Sequence, residues 1–373
     1  MTVTYDPNYC WRLVESKNVN IIFFHYNVTG RLAGRSSNES NYINMIFIFI
    51  SILIVLENIS VLVALLRYLR LRRWVYCCLA NIAFSDLLAG FSYLVNICLS
   101  GPNTFILSPE LWFLREGLVF TTLAASIFSL LVTAVERYST MVVITSERHS
   151  VKSMRVHGLI ILCWVLAGVV GFLPLLGWNC MCHIEKCSSL LPLYSRDYLL
   201  FSLTLLGITL IGIIGFYFTI YYLVCTSAKR VIVTNQSKRS LHLLKTVTII
   251  LSSFVICWSP LFYVLLMDTT CSPPSCTSPL GLEWVLAIAL LNSALNPLIY
   301  SLRSTEVRRA MLAFLCCACT WAGVPLPASC RPATDVNSGS SNESSIRRRS
   351  SLRLSRALSI RSPLTSISSV PSQ

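Results

Sequence analysis

Seven long apolar stretches punctuate the chain, at about 43–66, 75–99, 111–135, 156–176, 198–225, 246–267 and 284–302. Each is near or above the roughly 20 residues that a helix needs to cross about 30 Å of hydrocarbon. The fifth carries no charge before Lys229, and the sixth none from Thr246 to Met267. A membrane barrel would show alternating segments of about ten residues, and the sequence has none. The pattern therefore predicts an all-α membrane protein whose seven-transmembrane helix bundle occupies 43–302. An outer segment covers 1–42, a short amphipathic eighth helix 303–315, and a disordered tail 316–373, which is rich in Ser, Arg and Pro with little to bury.

The polar residues between the stretches set the orientation. With residue 1 outside, the inner loops are strongly basic, holding Arg67, Arg70, Arg72, Arg73, Arg148, Lys152, Arg155, Lys229, Arg230, Lys238 and Arg239. The outer loops hold two, Lys186 and Arg196, and the tail adds ten Arg against three acids. Basic loops stay cytoplasmic, so the N-terminus is predicted to be extracellular in a multi-pass protein of the plasma membrane.

Composition agrees. Of 373 residues, 54% are hydrophobic and 12% charged, about half the charge of a soluble domain. The two soluble domains that the length alone would suggest could not be coated by so few charges. The net charge of +14 sits on the inner side, facing anionic membrane lipid and acidic protein partners instead of nucleic acid. The first 42 residues contain one brief apolar patch, Ile21–Phe24, too short for a signal-peptide core; the first helix is expected to act as the targeting signal. Asn27-Val28-Thr29 and Asn38-Glu39-Ser40 are glycosylation acceptors on the outer side. Asn235 and Asn342 head the same pattern but face inward, and Arg347-Arg348-Arg349-Ser350-Ser351 leads into serines suited to phosphorylation.

The sixteen cysteines divide into six outside, six in helices and four inside. Cys271–Cys276 can close the third outer loop, and either Cys180–Cys187 or Cys182–Cys187 the second; spacing does not choose between the last two. Cys316, Cys317 and Cys319 follow the amphipathic stretch and suit palmitoylation. Zinc is disfavoured at Cys316, Cys317 and Cys319, which no His accompanies.

Ionisable groups within membrane spans are costly and are functional candidates. Here they are Glu57, Asp86, Arg115, Glu116, Glu136 and Arg137. Asp86 lies mid-span with Asn58 at similar depth, and Glu136-Arg137-Tyr138 ends the third stretch. The sixth carries Cys257-Trp258-Ser259-Pro260, and the seventh Asn292, Ser293 and Asn296-Pro297-Leu298-Ile299-Tyr300. Singly, each could be a kink or an interhelical bridge. Together they resemble the rhodopsin-like G-protein-coupled receptors across 43–315. The resemblance implies that Asn58, Asp86 and Trp164 mark helices one, two and four, and that Arg137 meets the G protein. It implies that Trp258 senses ligand depth, and that Asn296, Pro297 and Tyr300 rearrange around a water or sodium site at Asp86, Ser126 and Asn292. Three departures stand out: Trp112 where a cysteine is usual, no Pro in 198–225, and Ser240 in place of an acid that could hold Arg137.

The runs Trp112-Phe113-Leu114-Arg115-Glu116-Gly117, His25-Tyr26-Asn27-Val28-Thr29-Gly30-Arg31-Leu32 and Leu191-Pro192-Leu193-Tyr194 look like the sphingosine 1-phosphate receptors. Gly30–Arg35 and Cys182 are most similar to one subtype of that family. The resemblance implies bridges at Cys180–Cys187 and Cys271–Cys276, a sphingosine 1-phosphate ligand, heterotrimeric G proteins of the Gi and G-twelve/thirteen classes, arrestin and receptor kinases. Chemistry points the same way. Arg115 suits a phosphate as a planar fork, with Tyr26, Arg31, Asn96 and Ser100 closing in, and Glu116 suits an ammonium. Adjacent on a helix, the two side chains diverge by about 100°. Phe120, Leu123, Trp258, Leu261, Phe262 and Leu265 would take the alkyl chain, whose roughly 14 methylenes are worth on the order of 11 kcal/mol gross, cut sharply by ordering costs. So apolar a ligand is expected to enter sideways from the membrane, beneath a lid made by residues 20–40. A lysophosphatidic acid receptor is the nearest rival reading, with Glu116 as the discriminator. A retinal protein lacks its Lys in 284–302, a transporter or channel would need charges across midplane, and no catalytic set or cofactor motif indicates an enzyme.

Overall fold

The computed structural model describes residues 20–29, 37–69, 74–142, 149–230, 235–270 and 282–321. Among the described residues, nine helices run in the order α1 (Ile21–Val28), α2 (Ser37–Val63), α3 (Trp74–Cys98), α4 (Pro109–Val142), α5 (His149–Phe172), α6 (Arg196–Arg230), α7 (Asn235–Thr270), α8 (Leu282–Arg303) and α9 (Thr305–Trp321). α2 continues as a π turn through Tyr68, and a 3₁₀ turn at Gly101–Ile106 links α3 to α4. Helices α2 to α8 are the seven spans, long and apolar enough to cross a membrane.

The third span, α4, is the axis of the bundle. Its most apolar window is 72% buried, whereas those of α2, α5 and α6 are 22–28% buried. The residues those outer helices expose, such as Phe49, Ile211 and Phe218, are apolar, as a lipid-facing surface requires. At 1.5 Å per residue, the 34 residues of α4 extend about 51 Å, well beyond the hydrocarbon. That length brings Arg115 to one end and Glu136 to the other.

Glycine sets how closely α4 and α5 approach. A Cβ on Gly171 would lie 2.1 Å from Thr121 Oγ1 and 2.8 Å from the Gly117 carbonyl. One on Gly117 would lie 2.7 Å from the Phe172 ring. Polar bridges tie the other helices. Trp164 Nε1 donates to Asn81 Oδ1 at 2.9 Å, and Asn81 donates to Ser129 Oγ at 2.7 Å, joining α5, α3 and α4. Asn58 donates to the Ser293 carbonyl at 3.2 Å, joining α2 to α8. α6 is unbroken, as its lack of proline allows, while α7 and α8 carry Pro260 and Pro297 inside them.

The outer end has its own small core. Asn20 caps α1 by accepting from the Phe23 amide at 3.0 Å and also donates to the Phe105 carbonyl. This turns Ile21 and Ile22 down onto Trp112, Phe113, Met181, Cys182, Leu193, Tyr194, Tyr198 and Leu199. Trp112, only 2% exposed, therefore holds α4 under the second outer loop by packing, where a cysteine would have done so covalently. That loop is closed on itself by the Cys180–Cys187 disulfide. At the inner end, α9 docks through buried Val307 and Ala310 and through Glu306, which accepts from Tyr76. α9 runs through Cys316 to Trp321, so the cysteines expected to follow the amphipathic stretch lie within the helix.

Candidate functional site

Arg115 and Glu116 sit in the first turns of α4. Their adjacency suggests divergence, yet the arginine folds back. Its Nη2 and Nε donate to Glu116 Oε1 at 2.6 and 3.0 Å. Nη1 donates to the Leu99 carbonyl at 2.6 Å and to Thr104 Oγ1 at 3.1 Å, and the guanidinium lies 5.8 Å from the Trp112 ring. Asn96 of α3 donates to the same Glu116 oxygen at 3.0 Å. Arg115 is 5% exposed. A buried charge persists only when paired, and the two residues satisfy each other.

Around this pair the other expected residues fall as follows. Tyr26, partly buried on α1, packs edge-on against Phe105 at 5.5 Å. Ser100 donates its hydroxyl to the Ile97 carbonyl at 2.7 Å, so it is engaged with its own helix end. Arg31 lies outside the described residues, as do Cys271 and Cys276, and so does the side chain of Asn38. Asn27 is exposed on α1.

Sequence reasoning missed Thr104 and the Leu99 carbonyl as partners of Arg115, and the role of two aromatic residues beside it. Tyr194 stacks on Tyr198 at 5.5 Å and packs on Phe120 at 5.1 Å and Trp112 at 5.7 Å. Burial pushes its phenol well above the usual tyrosine range, so the hydroxyl keeps its proton. Tyr194 Oη and Trp112 Nε1 are buried, and neither makes a hydrogen bond. Two donors are thus left near the charged pair. The Leu-Pro-Leu-Tyr run was the available signal, and Leu193 within it takes a positive φ of 66° to set the turn.

Below lies an apolar floor. Leu123, Trp258, Leu261, Phe262 and Leu265 share the main core cluster, while Phe120 joins the outer one. Trp258 stacks on Phe254 at 5.4 Å and meets Phe262 edge-on at 6.5 Å.

Deeper still, Asp86 is fully buried. It accepts from Ser126 Oγ at 3.1 Å, Ser293 Oγ at 2.9 Å and Asn296 Nδ2 at 2.8 Å. Asn292, expected in this group, is buried nearby on α8 but is not among the three donors; Ser293 takes that place. Pro297 lies inside α8 one residue after Asn296, and Tyr300 is 2% exposed.

At the inner end, Glu136 does not pair with Arg137. It binds Lys152 Nζ at 3.0 Å and Arg155 Nη2 at 3.3 Å, both on α5, and accepts from Thr140 at 3.0 Å. Ser240 lies on α7, and its side chain is outside those described. Cys316 is disulfide-bonded, so acylation there would need that bond reduced. The side chains of Cys317 and Cys319 lie outside those described. No cluster of His, Cys, Asp and Glu fit to hold a metal occurs among the described residues.

A polar column thus runs down a seven-span bundle, from a paired charge at the top through a buried carboxylate to an acid–arginine–tyrosine end. Residues 57–300 match the family described as 7 transmembrane receptor (rhodopsin family). The chain is 49% identical to sphingosine 1-phosphate receptor 4 of Mus musculus, over 98% of this chain and 97% of that one. The human receptor of that name gives the same figures. Sphingosine 1-phosphate receptor 3 of Takifugu rubripes is 42% identical over 80% of this chain and 79% of its own length. With the signature residues of the bundle in place and such likeness along nearly the whole chain, the protein is a non-enzymatic receptor of the rhodopsin family and belongs to the sphingosine 1-phosphate receptors.

Proposed function

We propose that this receptor binds sphingosine 1-phosphate at the plasma membrane, with its N-terminus outside, and activates heterotrimeric G proteins of the Gi and G-twelve/thirteen classes. One observation carries the ligand reading: Arg115 and Glu116 are bound to each other at 2.6 Å above an apolar floor. A ligand bearing both a phosphate and an ammonium can open that pair without leaving a charge alone. The phosphate takes Arg115, helped by Tyr26, Arg31, Ser100 and the free donors of Tyr194 and Trp112. The ammonium takes Glu116, with Asn96 beside it. Lysophosphatidic acid has no ammonium, so it would strand a carboxylate of low exposure, a cost of several kcal/mol. The alkyl chain fills the space among Phe120, Leu123, Trp258, Leu261, Phe262 and Leu265, entering laterally beneath α1.

Binding must favour the active conformer to have an effect. Helix α7, pivoting at Pro260, is the element that moves, with Trp258 reading the depth of the chain. Asp86, Ser126 and Asn292 would hold a sodium ion. The Oδ1 atoms of Asn292 and Asn296 are buried without a hydrogen-bond partner, which fits oxygen ligation, and Asp86 supplies the charge. Arg137 contacts the G protein, the serine-rich tail takes kinases and arrestin, and Cys316, Cys317 and Cys319 take palmitate.

Ligand-stimulated nucleotide exchange on Gi, measured in membranes with both lipids, tests this reading. Wild type should answer sphingosine 1-phosphate alone, Arg115→Ala should lose that response, and Glu116→Gln should shift the ratio toward lysophosphatidic acid by at least tenfold. An unchanged ratio in Glu116→Gln would overturn the assignment of the ammonium site.

A further inference from the structure

At the outer end of α7, Asp268 is only 8% exposed. Its carboxylate accepts from Ser188 Oγ on one oxygen at 2.5 Å. Its other oxygen accepts from the Ser189 amide at 3.1 Å and from the Ser189 hydroxyl. All three donors belong to the second outer loop, where Ser188 is buried and Ser189 exposed. Ser188 is itself a junction. Its hydroxyl oxygen accepts from the Leu190 and Leu191 amides at 3.1 and 2.8 Å, and its own amide donates to the Tyr194 carbonyl at 2.9 Å. The same carboxylate that grips the loop therefore fixes the turn that presents Tyr194.

Tyr194 stands over Phe120, Trp112 and Tyr198, near Arg115 and Glu116. Ring packing leads from Arg115 over Trp112 to Tyr194, and hydrogen bonds lead from the Tyr194 carbonyl through Ser188 to α7. This route bypasses Trp258 and the apolar floor. We propose that Asp268 is a positioning residue, a latch through which the second outer loop holds α7 and transmits occupancy of the head-group site to it. The proposal rests on the ligand reading above only for the identity of the occupant.

In the ligand-free receptor the latch restrains α7 by tying its outer end to a loop that is itself closed by Cys180–Cys187. When a head group engages Arg115 and Glu116, Tyr194 and the turn beneath Ser188 shift, and the latch carries that shift to the helix. A carboxylate suits the task because it accepts at both oxygens and cannot donate. Asn keeps one acceptor and sets an amide against Ser188, whereas Ala removes the latch outright.

The test compares wild type, Asp268→Ala, Asp268→Asn, Ser188→Ala/Ser189→Ala and the triple variant, each at matched surface levels. Basal and sphingosine 1-phosphate-stimulated nucleotide exchange are measured beside lipid affinity. Asp268→Ala is expected to raise basal exchange at least twofold and to compress the stimulated-to-basal ratio at least threefold, with affinity within threefold of wild type. Asp268→Asn falls between, and the triple variant is no worse than Asp268→Ala. An affinity loss with an unchanged ratio, or effects that multiply in the triple variant, would show a merely structural bond and overturn the latch. If wild type ignores the lipid, the ligand reading falls, and the basal arm alone decides: a flat basal rate in Asp268→Ala overturns the latch, a raised one supports it.

Discussion

At pH 7 the imidazole of His25 is neutral, because its burial on the packed face of α1 lowers its affinity for a proton below the ordinary value of 6.5. Its Nε2 bears the hydrogen, since it lies 2.9 Å from the Met181 carbonyl, which can only accept. Its Nδ1 faces the Cys187 sulfur at 3.8 Å, where a second proton would find no good acceptor, and the Arg196 guanidinium lies at the Cys187 carbonyl, 3.1 Å away. The sign follows from linkage. Undocked, the histidine takes a proton near pH 6.5; docked, it does so only at lower pH. Docking of α1 is therefore at full strength above about pH 6.5 and weakens as the pH falls toward the docked value, by about 1.4 kcal/mol for each unit of depression. Dissociation of labelled sphingosine 1-phosphate should accelerate severalfold between pH 7.4 and 5.5. His25→Gln, which keeps the donor and cannot charge, should show no such acceleration; equal acceleration in both would remove His25 as the cause.

Between elements, the closest constraint is the glycine contact of α4 with α5. A Cβ at Gly171 has no room, with Thr121 Oγ1 and the Gly117 carbonyl both within 2.8 Å, whereas one at Gly168 on the same helix meets nothing within 4 Å. Overpacking of this kind costs about 1–3 kcal/mol. Gly171→Ala should lower the thermal midpoint of the purified receptor, and Gly168→Ala should leave it unchanged. A Gly171→Ala receptor as stable as wild type would mean that the two helices slide apart freely. Nothing in the string of residues announces which glycine is crowded, because the crowding atoms come from a helix some 50 positions earlier. What could be read was periodic or local: seven apolar runs, the caps of charge between them, Asp86 and Asn58 at matched depth, the Arg115–Glu116 doublet. Hidden were contacts made across the fold. Asp268 lies one residue beyond the apolar run ending at Met267, so the run does not mark it as a membrane acid, and its partners are 80 and 79 residues away. Arg115 was expected to turn from Glu116, but the Leu99 carbonyl and Thr104, carried by the turn after α3, draw it back.

Across the whole molecule, the inner end carries its own balance of charge. Lys152 and Arg155 on α5 occupy both oxygens of Glu136, and no ion pair joins Glu136 to Arg137 among the described residues. The two basic side chains are 20% and 26% exposed, so each bond is worth up to about 1 kcal/mol. By engaging the acid they leave Arg137 ready for a partner. Replacing both, Lys152→Gln/Arg155→Gln, should return Glu136 to Arg137 and lower basal nucleotide exchange a few-fold at unchanged surface expression. An unaltered basal rate would show that Arg137 is held by other means.

The packing of Trp112 has a consequence for how such a receptor can change over time. A covalent strap between the third span and its outer loop is either present or broken, by mutation or by reduction. A buried indole holds the same two parts with an energy that varies by a methylene at a time. The dwell time of a bound lipid can therefore be lengthened or shortened by small steps, through ordinary substitutions around Trp112 such as those at Ile21, Ile22 or Leu193. Selection then has a graded means of setting how long the cell remembers a signal, without passing through a receptor that cannot close.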